Sequence, residues 1–161
     1  GATSYQPKRK WVATKSAKED GTFTKGSCPK ALGNSYAKLP RNTTTFYYYD
    51  KPQIKALIKA SGASPHVQKT MWCYVSKEQP FNKKGAQAMY PNNNPAGIQT
   101  DGGRTNGSKY IEYQTCFKDA KTWRAFAGFS TAENGFKTLQ SMVTNKYKST
   151  KIYSFYHRKW L

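Results

Sequence analysis

Acidic residues are scarce in this chain. Eight Asp and Glu stand against 27 Lys and Arg in 161 residues, which gives a formal net charge of +19. Such a surface favours polyanionic partners, namely nucleic acid, anionic lipid or an anionic cell wall. The basic residues are spread along the chain rather than gathered in one tail, so we expect electrostatic attraction by the whole surface.

Cysteine, histidine and long apolar runs are also scarce. Cys28, Cys73 and Cys116 match no zinc-site spacing, and both one disulfide with a free thiol and three reduced thiols fit their number. The only histidines are His66 and His157, which disfavours Cys–His catalysis. No run of about 18 apolar residues occurs, so we expect no membrane span. We expect neither a metal nor a cofactor, and the sequence leaves the oligomeric state open.

Aromatic residues are abundant, with 12 Tyr, 8 Phe and 4 Trp. A chain of this length has room for one domain with a real core, and that core should be built largely from rings. Residues 1–45 are polar, Lys-rich and poor in aliphatic side chains. We therefore divide the chain into an irregular basic N-terminal arm, 1–45, and a folded domain, 46–161.

Two helices are indicated after the arm. Asp50 is a capping residue with Gln53 three positions later, and Gly62 ends the helix. Ser64-Pro65 begins a second helix that runs to Glu78, before Pro80. The expected apolar face of the first helix is Ile54, Leu57 and Ile58, and that of the second is Val67, Met71, Trp72, Tyr74 and Val75.

The second half of the chain is predicted to contain a loop, strand-like segments and a last helix. Residues 80–109 are rich in Pro, Gly and Asn, which excludes a regular helix. Residues 110–117 are strand-like, and residues 123–129 are apolar and fit either a second strand or an extended approach. Ser130-Thr-Ala-Glu133 predicts a capping box for a last helix with Phe136, Leu139 and Val143 on its apolar face. The predicted fold class is therefore α+β.

Glu78 is the most informative residue, because an acid at the end of an apolar helix faces a Gly/Asn-rich segment. Burial beside aromatic rings would suit such a residue to general-acid catalysis. Glu78-Gln-Pro-Phe-Asn82, followed by Asn93-Asn-Pro-Ala-Gly-Ile-Gln99, resembles the lysozyme-like superfamily. There a helix ends in Glu-Ser-x-Phe-Asn, and a loop then carries Asn-Asn-x-x-Gly-Ile.

The resemblance continues further along the chain. Tyr110-Ile-Glu-Tyr113 is similar to the Thr-x-Glu strand of the glucosaminidase branch, and Trp123-Arg-Ala-Phe-Ala-Gly-Phe129 is similar to its Phe-Arg-x-Tyr motif. The match covers roughly residues 53–145. It departs at Gln79, where the family has Ser, and at Phe129, where the family's Tyr carries a hydroxyl.

The resemblance implies a helical lobe, a small loop/β lobe, and cleavage of peptidoglycan glycan strands. It leaves open an N-acetylglucosaminidase, a muramidase or a lytic transglycosylase. Glu78 would be the general acid and Glu112 the second catalytic carboxylate, although the substrate's own N-acetyl group can replace the latter. The side chains expected to bind substrate are Asn93, Asn94, Gln99, Asp101, Tyr110, Tyr113, Trp123 and Phe129.

Two other functions fit parts of the sequence. Charge and aromatic content also suit a nucleic-acid-binding module, and the missing Tyr at position 129 suits a non-catalytic wall-binding protein. The glycosidase hypothesis accounts for both the charge and the order of the motifs. It places the protein outside the cytoplasm, secreted or periplasmic, or on a phage virion.

Overall fold

The computed structural model describes residues 7, 9–14, 37–38, 43–79, 87–100, 109–119 and 122–147. Helices and strands are both present in this part of the chain, so the predicted α+β class is confirmed. The strands are β1 (Arg9–Thr14), β2 (Ala37–Lys38), β3 (Thr43–Asp50), β4 (Gln87–Pro91), β5 (Tyr113–Asp119) and β6 (Thr122–Gly128). The helices are α1 (Lys51–Ala60), α2 (Pro65–Glu78) and α3 (Ala132–Tyr147).

The described strands form two three-stranded sheets. In the first sheet, β3 lies between β1 and β4 and is antiparallel to both. In the second, β5 lies between β2 and β6; it is parallel to β2 and antiparallel to β6. Apart from residue 7, the described backbone of the N-terminal arm is therefore paired in strands, and the prediction that residues 1–45 are irregular is wrong for those strands. The expected boundary at residue 45 falls inside β3.

Local capping chemistry sets the start of α1 as predicted. The Asp50 carboxylate accepts a hydrogen bond from the backbone N–H of Gln53 at 2.9 Å, and the Gln53 side chain accepts one from the Asp50 N–H at 3.2 Å. These two bonds satisfy backbone donors that the helix itself leaves free. The end is also as predicted, because Gly62 follows the helix with a φ of +85°.

The start of α2 is likewise as predicted, whereas α3 begins one residue later than expected. Ser64 accepts a hydrogen bond from the N–H of Val67, which is the predicted cap. On α3 the capping hydroxyl belongs to Thr131, which accepts from the N–H of Asn134 at 3.3 Å. Ser130, the predicted cap, instead donates its hydroxyl proton to Glu112.

The three helices pack against one another, and α1 also packs against β3 of the first sheet. Their apolar faces are buried as predicted, except that Tyr74 is only half-buried. Two tyrosines from the first sheet, Tyr49 on β3 and Tyr90 on β4, are also almost fully buried. The Tyr90 ring lies between Tyr49 and Phe136 of α3, with centroids 5.9 and 6.0 Å away, so rings join the sheet to the helices.

No helix in the described part of the chain is long and apolar enough to cross a membrane.

Candidate functional site

The loop that follows β4 is held against β6 by a buried asparagine. Asn94 donates from Nδ2 to the carbonyls of Ile98 and Ala127, at 2.9 and 3.0 Å. Its Oδ1 accepts from the N–H of Ile98 at 2.8 Å and, more weakly, from that of Ala96 at 3.5 Å. Each hydrogen-bonding position of the amide is thus used inside the protein, and the loop is fixed to β6.

Asn93 connects the same loop to β3 and to the end of β6. Its Oδ1 accepts a hydrogen bond from the Tyr49 hydroxyl at 2.9 Å, and its Nδ2 donates to the Phe129 carbonyl at 3.3 Å. The residue has a φ of +56°, a left-handed conformation that Asn tolerates better than most residues. Substrate binding by Asn93 or Asn94 stays a prediction, and it would require these buried amides to give up bonds they already make.

The first turn of α3 lies directly against this loop. A Cβ atom added at Gly135 would collide with the backbone carbonyl oxygen of Asn93 and approach Pro95. Only glycine permits this close approach of helix and loop. The loop, the end of β6 and the start of α3 therefore meet in one place.

Glu112 lies at this junction. Its Oε1 accepts a hydrogen bond from the Ser130 hydroxyl at 2.6 Å and a longer one from the Ser130 N–H at 3.4 Å. The Glu112 N–H donates to the Gly128 carbonyl at 3.1 Å. The residue is exposed, so its carboxylate is held in one orientation and yet accessible to solvent. Both side-chain bonds go to Oε1, and Oε2 takes part in neither.

Tyr113 follows Glu112 and lies opposite Gly128 across the β5–β6 pair. Its ring covers Gly128, where any larger residue would collide with it. Burial raises the pKa of the Tyr113 hydroxyl above its ordinary value, and the nearby Tyr47 hydroxyl and Glu112 carboxylate raise it further. This phenol therefore keeps its proton and can donate a hydrogen bond beside Glu112.

The structure adds Tyr49, Tyr47 and Glu133 to the residues expected from sequence. Burial raises the pKa of Tyr49, and the nearby Glu133 and Tyr47 raise it further; burial also raises the pKa of Tyr47. Glu133 is half-buried in the first turn of α3. The Thr43–Asp50 run of β-branched and aromatic residues was the available signal for the strand that carries both tyrosines.

Glu78, the predicted general acid, is exposed at the C-terminal end of α2. The burial expected for a carboxyl that keeps its proton is therefore not found at this residue. Residues 80–86, which would form one wall of the predicted cleft, lie outside the described part of the chain. The structure brings together Glu112, Tyr113, Asn93 and the backbone of Phe129; a cleft that joins Glu78 to them stays a prediction.

The remaining candidates for substrate binding differ in accessibility. The Phe129 side chain is fully buried in the core, so contact with substrate would require it to leave that position. Tyr110 is half-buried and packs against the core, and Gln99 is half-buried opposite Phe126. Asp101 lies outside the described residues. For Trp123 only the backbone is described, paired with Lys118.

Within the described residues, no cluster of three or more His, Cys, Asp or Glu side chains is arranged to hold a metal ion. The side chain of Cys73, on α2, is buried.

No family model matches the chain, and neither a curated protein nor a solved structure shows significant similarity to it. The resemblance to the lysozyme-like superfamily therefore stays a prediction from sequence motifs.

Proposed function

We propose that this protein is a glycosidase that cleaves peptidoglycan glycan strands and has a lysozyme-like arrangement of lobes. The observation that carries the proposal is the Glu112 carboxylate, which is accessible to solvent and oriented by Ser130 at the meeting point of loop, hairpin and helix. The motif order around Glu78, Asn93 and Phe129 supports the same function.

Glycosidic cleavage requires a proton for the leaving oxygen and stabilisation of an oxocarbenium-like transition state. In the proposed mechanism Glu78 donates the proton. Glu112 acts on the sugar through Oε2, the oxygen not engaged by Ser130, and either attacks C1 or activates a water molecule. Tyr113 would donate a hydrogen bond to substrate from its protonated hydroxyl. If the N-acetyl group of the substrate attacks instead, Glu112 is not required as nucleophile.

The exposure of Glu78 sets a condition on this mechanism. A general acid works best when its surroundings keep it protonated near the working pH. For Glu78 those surroundings would have to come from the bound substrate, which would displace water from the carboxyl. In the proposed mechanism, the acid site is therefore complete only when substrate is bound.

The decisive experiment compares Glu78→Gln and Glu112→Gln on purified peptidoglycan, with released fragments identified by mass spectrometry. We expect Glu78→Gln to lower the rate at least ~100-fold, the usual contribution of a general acid. Asp50→Asn is the matched control, because it also neutralises a carboxylate but leaves a side chain that can cap α1. Circular dichroism and thermal unfolding check that each variant is folded.

The two variants also separate the mechanisms. Loss of activity in both supports two catalytic carboxylates, whereas loss in Glu78→Gln alone supports a mechanism assisted by the substrate. An anhydro sugar at the new end identifies a lytic transglycosylase, and a reducing end identifies a hydrolase. Full activity of Glu78→Gln would show that another residue supplies the proton, and no cleavage by the wild-type protein would refute the proposed function.

A further inference from the structure

Two lysines converge on one tyrosine ring beside the candidate site. The ammonium nitrogen of Lys109 lies 5.3 Å from the centroid of the Tyr110 ring, and that of Lys137 lies 5.6 Å from the same centroid. Tyr110 is half-buried and packed against the core, and Lys137 is half-buried on α3. The ring is thus held in place, and each cation is attracted to the electron-rich π system of the ring.

This arrangement brings two positive charges close together. Both nitrogens lie within 6 Å of one ring centroid, which limits their separation to about 11 Å at most. This limit is comparable to the screening length of about 8 Å under physiological conditions, so salt weakens the repulsion between the two charges without removing it. Within the described residues neither ammonium forms an ion pair with a carboxylate. A bound anion would relieve the repulsion, and lysine is a strong donor to carboxylate and phosphate oxygens.

The two lysines and the Tyr110 ring belong to the same part of the fold as Glu112. Tyr110 precedes Glu112 by two residues, and Lys137 lies about 7.5 Å along the axis of α3 from Ala132, at the helix end that contacts Glu112 through Ser130. A ligand that reaches Glu112 can therefore extend to the lysines. A stacked nucleobase would need an open ring face, whereas the Tyr110 ring is half-buried and approached by both ammonium groups.

We propose that Lys109, Lys137 and Tyr110 form a binding site for a carboxylate on the peptide attached to the glycan strand. The identity of this anion rests on the proposed function. Chains of N-acetylglucosamine alone carry no carboxylate, so the site would favour peptide-bearing peptidoglycan strands over such chains. It would contribute to substrate affinity and not to the chemical step.

Binding to insoluble wall material tests the site separately from catalysis. The variant Lys109→Gln/Lys137→Gln is made in a Glu78→Gln background, where turnover does not consume the wall. Lys59→Gln/Lys69→Gln is the matched control, because it removes the same charge from exposed lysines on α1 and α2. The probes are wall with free peptide carboxylates, the same wall with those carboxylates amidated, and wall from which phosphate polymers have been removed.

We expect the Lys109/Lys137 variant to bind carboxylate-bearing wall at least ~10-fold more weakly than its parent, and the control to change by less than ~2-fold. Amidation should weaken the parent and abolish the difference between parent and variant, whereas removal of phosphate polymers should preserve that difference. Equal losses in the control would attribute binding to overall charge. A difference that disappears with the phosphate polymers, or one larger on duplex DNA than on wall, would overturn the carboxylate assignment.

The outcomes separate this inference from the proposed function. If the wild-type protein cleaves wall but the Lys109/Lys137 variant binds like its parent, the site is refuted and the glycosidase stands. If the wild-type protein cleaves nothing while the carboxylate-dependent binding difference persists, the glycosidase is refuted and the binding site stands.

Discussion

Asn94 uses its whole amide to hold the loop against β6. Replacing it with alanine would remove this partner from the N–H of Ile98 and the carbonyl of Ala127, while the Ile98 carbonyl would keep its hydrogen bond from the Ala127 N–H. Buried polar groups without a partner cost about 1–3 kcal/mol each, and part of that cost is relieved when water enters. We expect Asn94→Ala to lower the free energy of unfolding by about 2 kcal/mol or more.

Urea-induced unfolding measures this loss. Asn145→Ala is the matched control, because Asn145 is exposed on α3 and alanine suits a helix. A loss below about 1 kcal/mol for Asn94→Ala would show that the loop does not depend on this amide.

The roles of Asn93 and Asn94 illustrate the limit of sequence reasoning for single residues. The Asn-Asn-Pro-Ala-Gly stretch predicted an irregular loop correctly, because turn preferences are local. Asn93 bonds to Tyr49, 44 positions away, and Asn94 bonds to Ala127, 33 positions away. Such partners depend on how the elements pack, so the same amides were equally compatible with sugar binding.

Among the helices and strands, α1 is the one whose start is set most fully by residues close to it in sequence. Asp50 and Gln53 exchange two hydrogen bonds at its first turn. We expect Asp50→Ala to lower the free energy of unfolding by about 1 kcal/mol, the usual contribution of a capping side chain. Asp50→Asn should remain close to wild type, since asparagine caps equally well. Equal losses in the two variants would indicate that charge, and not capping, is what the helix requires.

Helices and strands differed in how far they could be predicted. Capping residues and apolar spacing lie within each helix, so the two helices between β3 and β4 were predicted with their ends. Strand β3 carried a local signal in its β-branched and aromatic residues, but its pairing with β4 joins Phe46 to Pro91 and Asp50 to Gln87, and no local pattern encodes a partner some 40 residues away. For β5 and β6 the strand-like composition was recognised within a few residues of the observed bounds, whereas their pairing was not predicted.

At the scale of the whole molecule, buried tyrosines make the free energy of unfolding depend on pH in the alkaline range. Burial raises the pKa of Tyr49, Tyr90 and Tyr113, and these residues come from both sheets. The folded protein retains protons that the unfolded chain releases above its ordinary tyrosine pKa of 10.0. Their contribution is therefore constant below about pH 10 and is lost as the pH rises through the folded-state values.

We expect the free energy of unfolding to fall above about pH 10, by up to about 1.4 kcal/mol per pH unit for each such phenol. Tyr90→Phe keeps the buried ring and removes one of these protons, so its curve should fall less steeply by that amount. Urea unfolding at several pH values between 8 and 11 tests this, and identical slopes for the two proteins would contradict it.

The parallel pairing of β2 with β5 has a consequence for shortened forms of the chain. Residues 37–38 cover the edge of β5 at Tyr113 and Gln114, and β1 covers the edge of β3. A protease cut that released the chain before residue 43 would uncover both edges at once. Open strand edges pair readily with strands of other molecules. The basic arm would thus protect the protein from aggregation by covering these edges. A shortened protein would self-associate even with Glu112 and its surroundings intact.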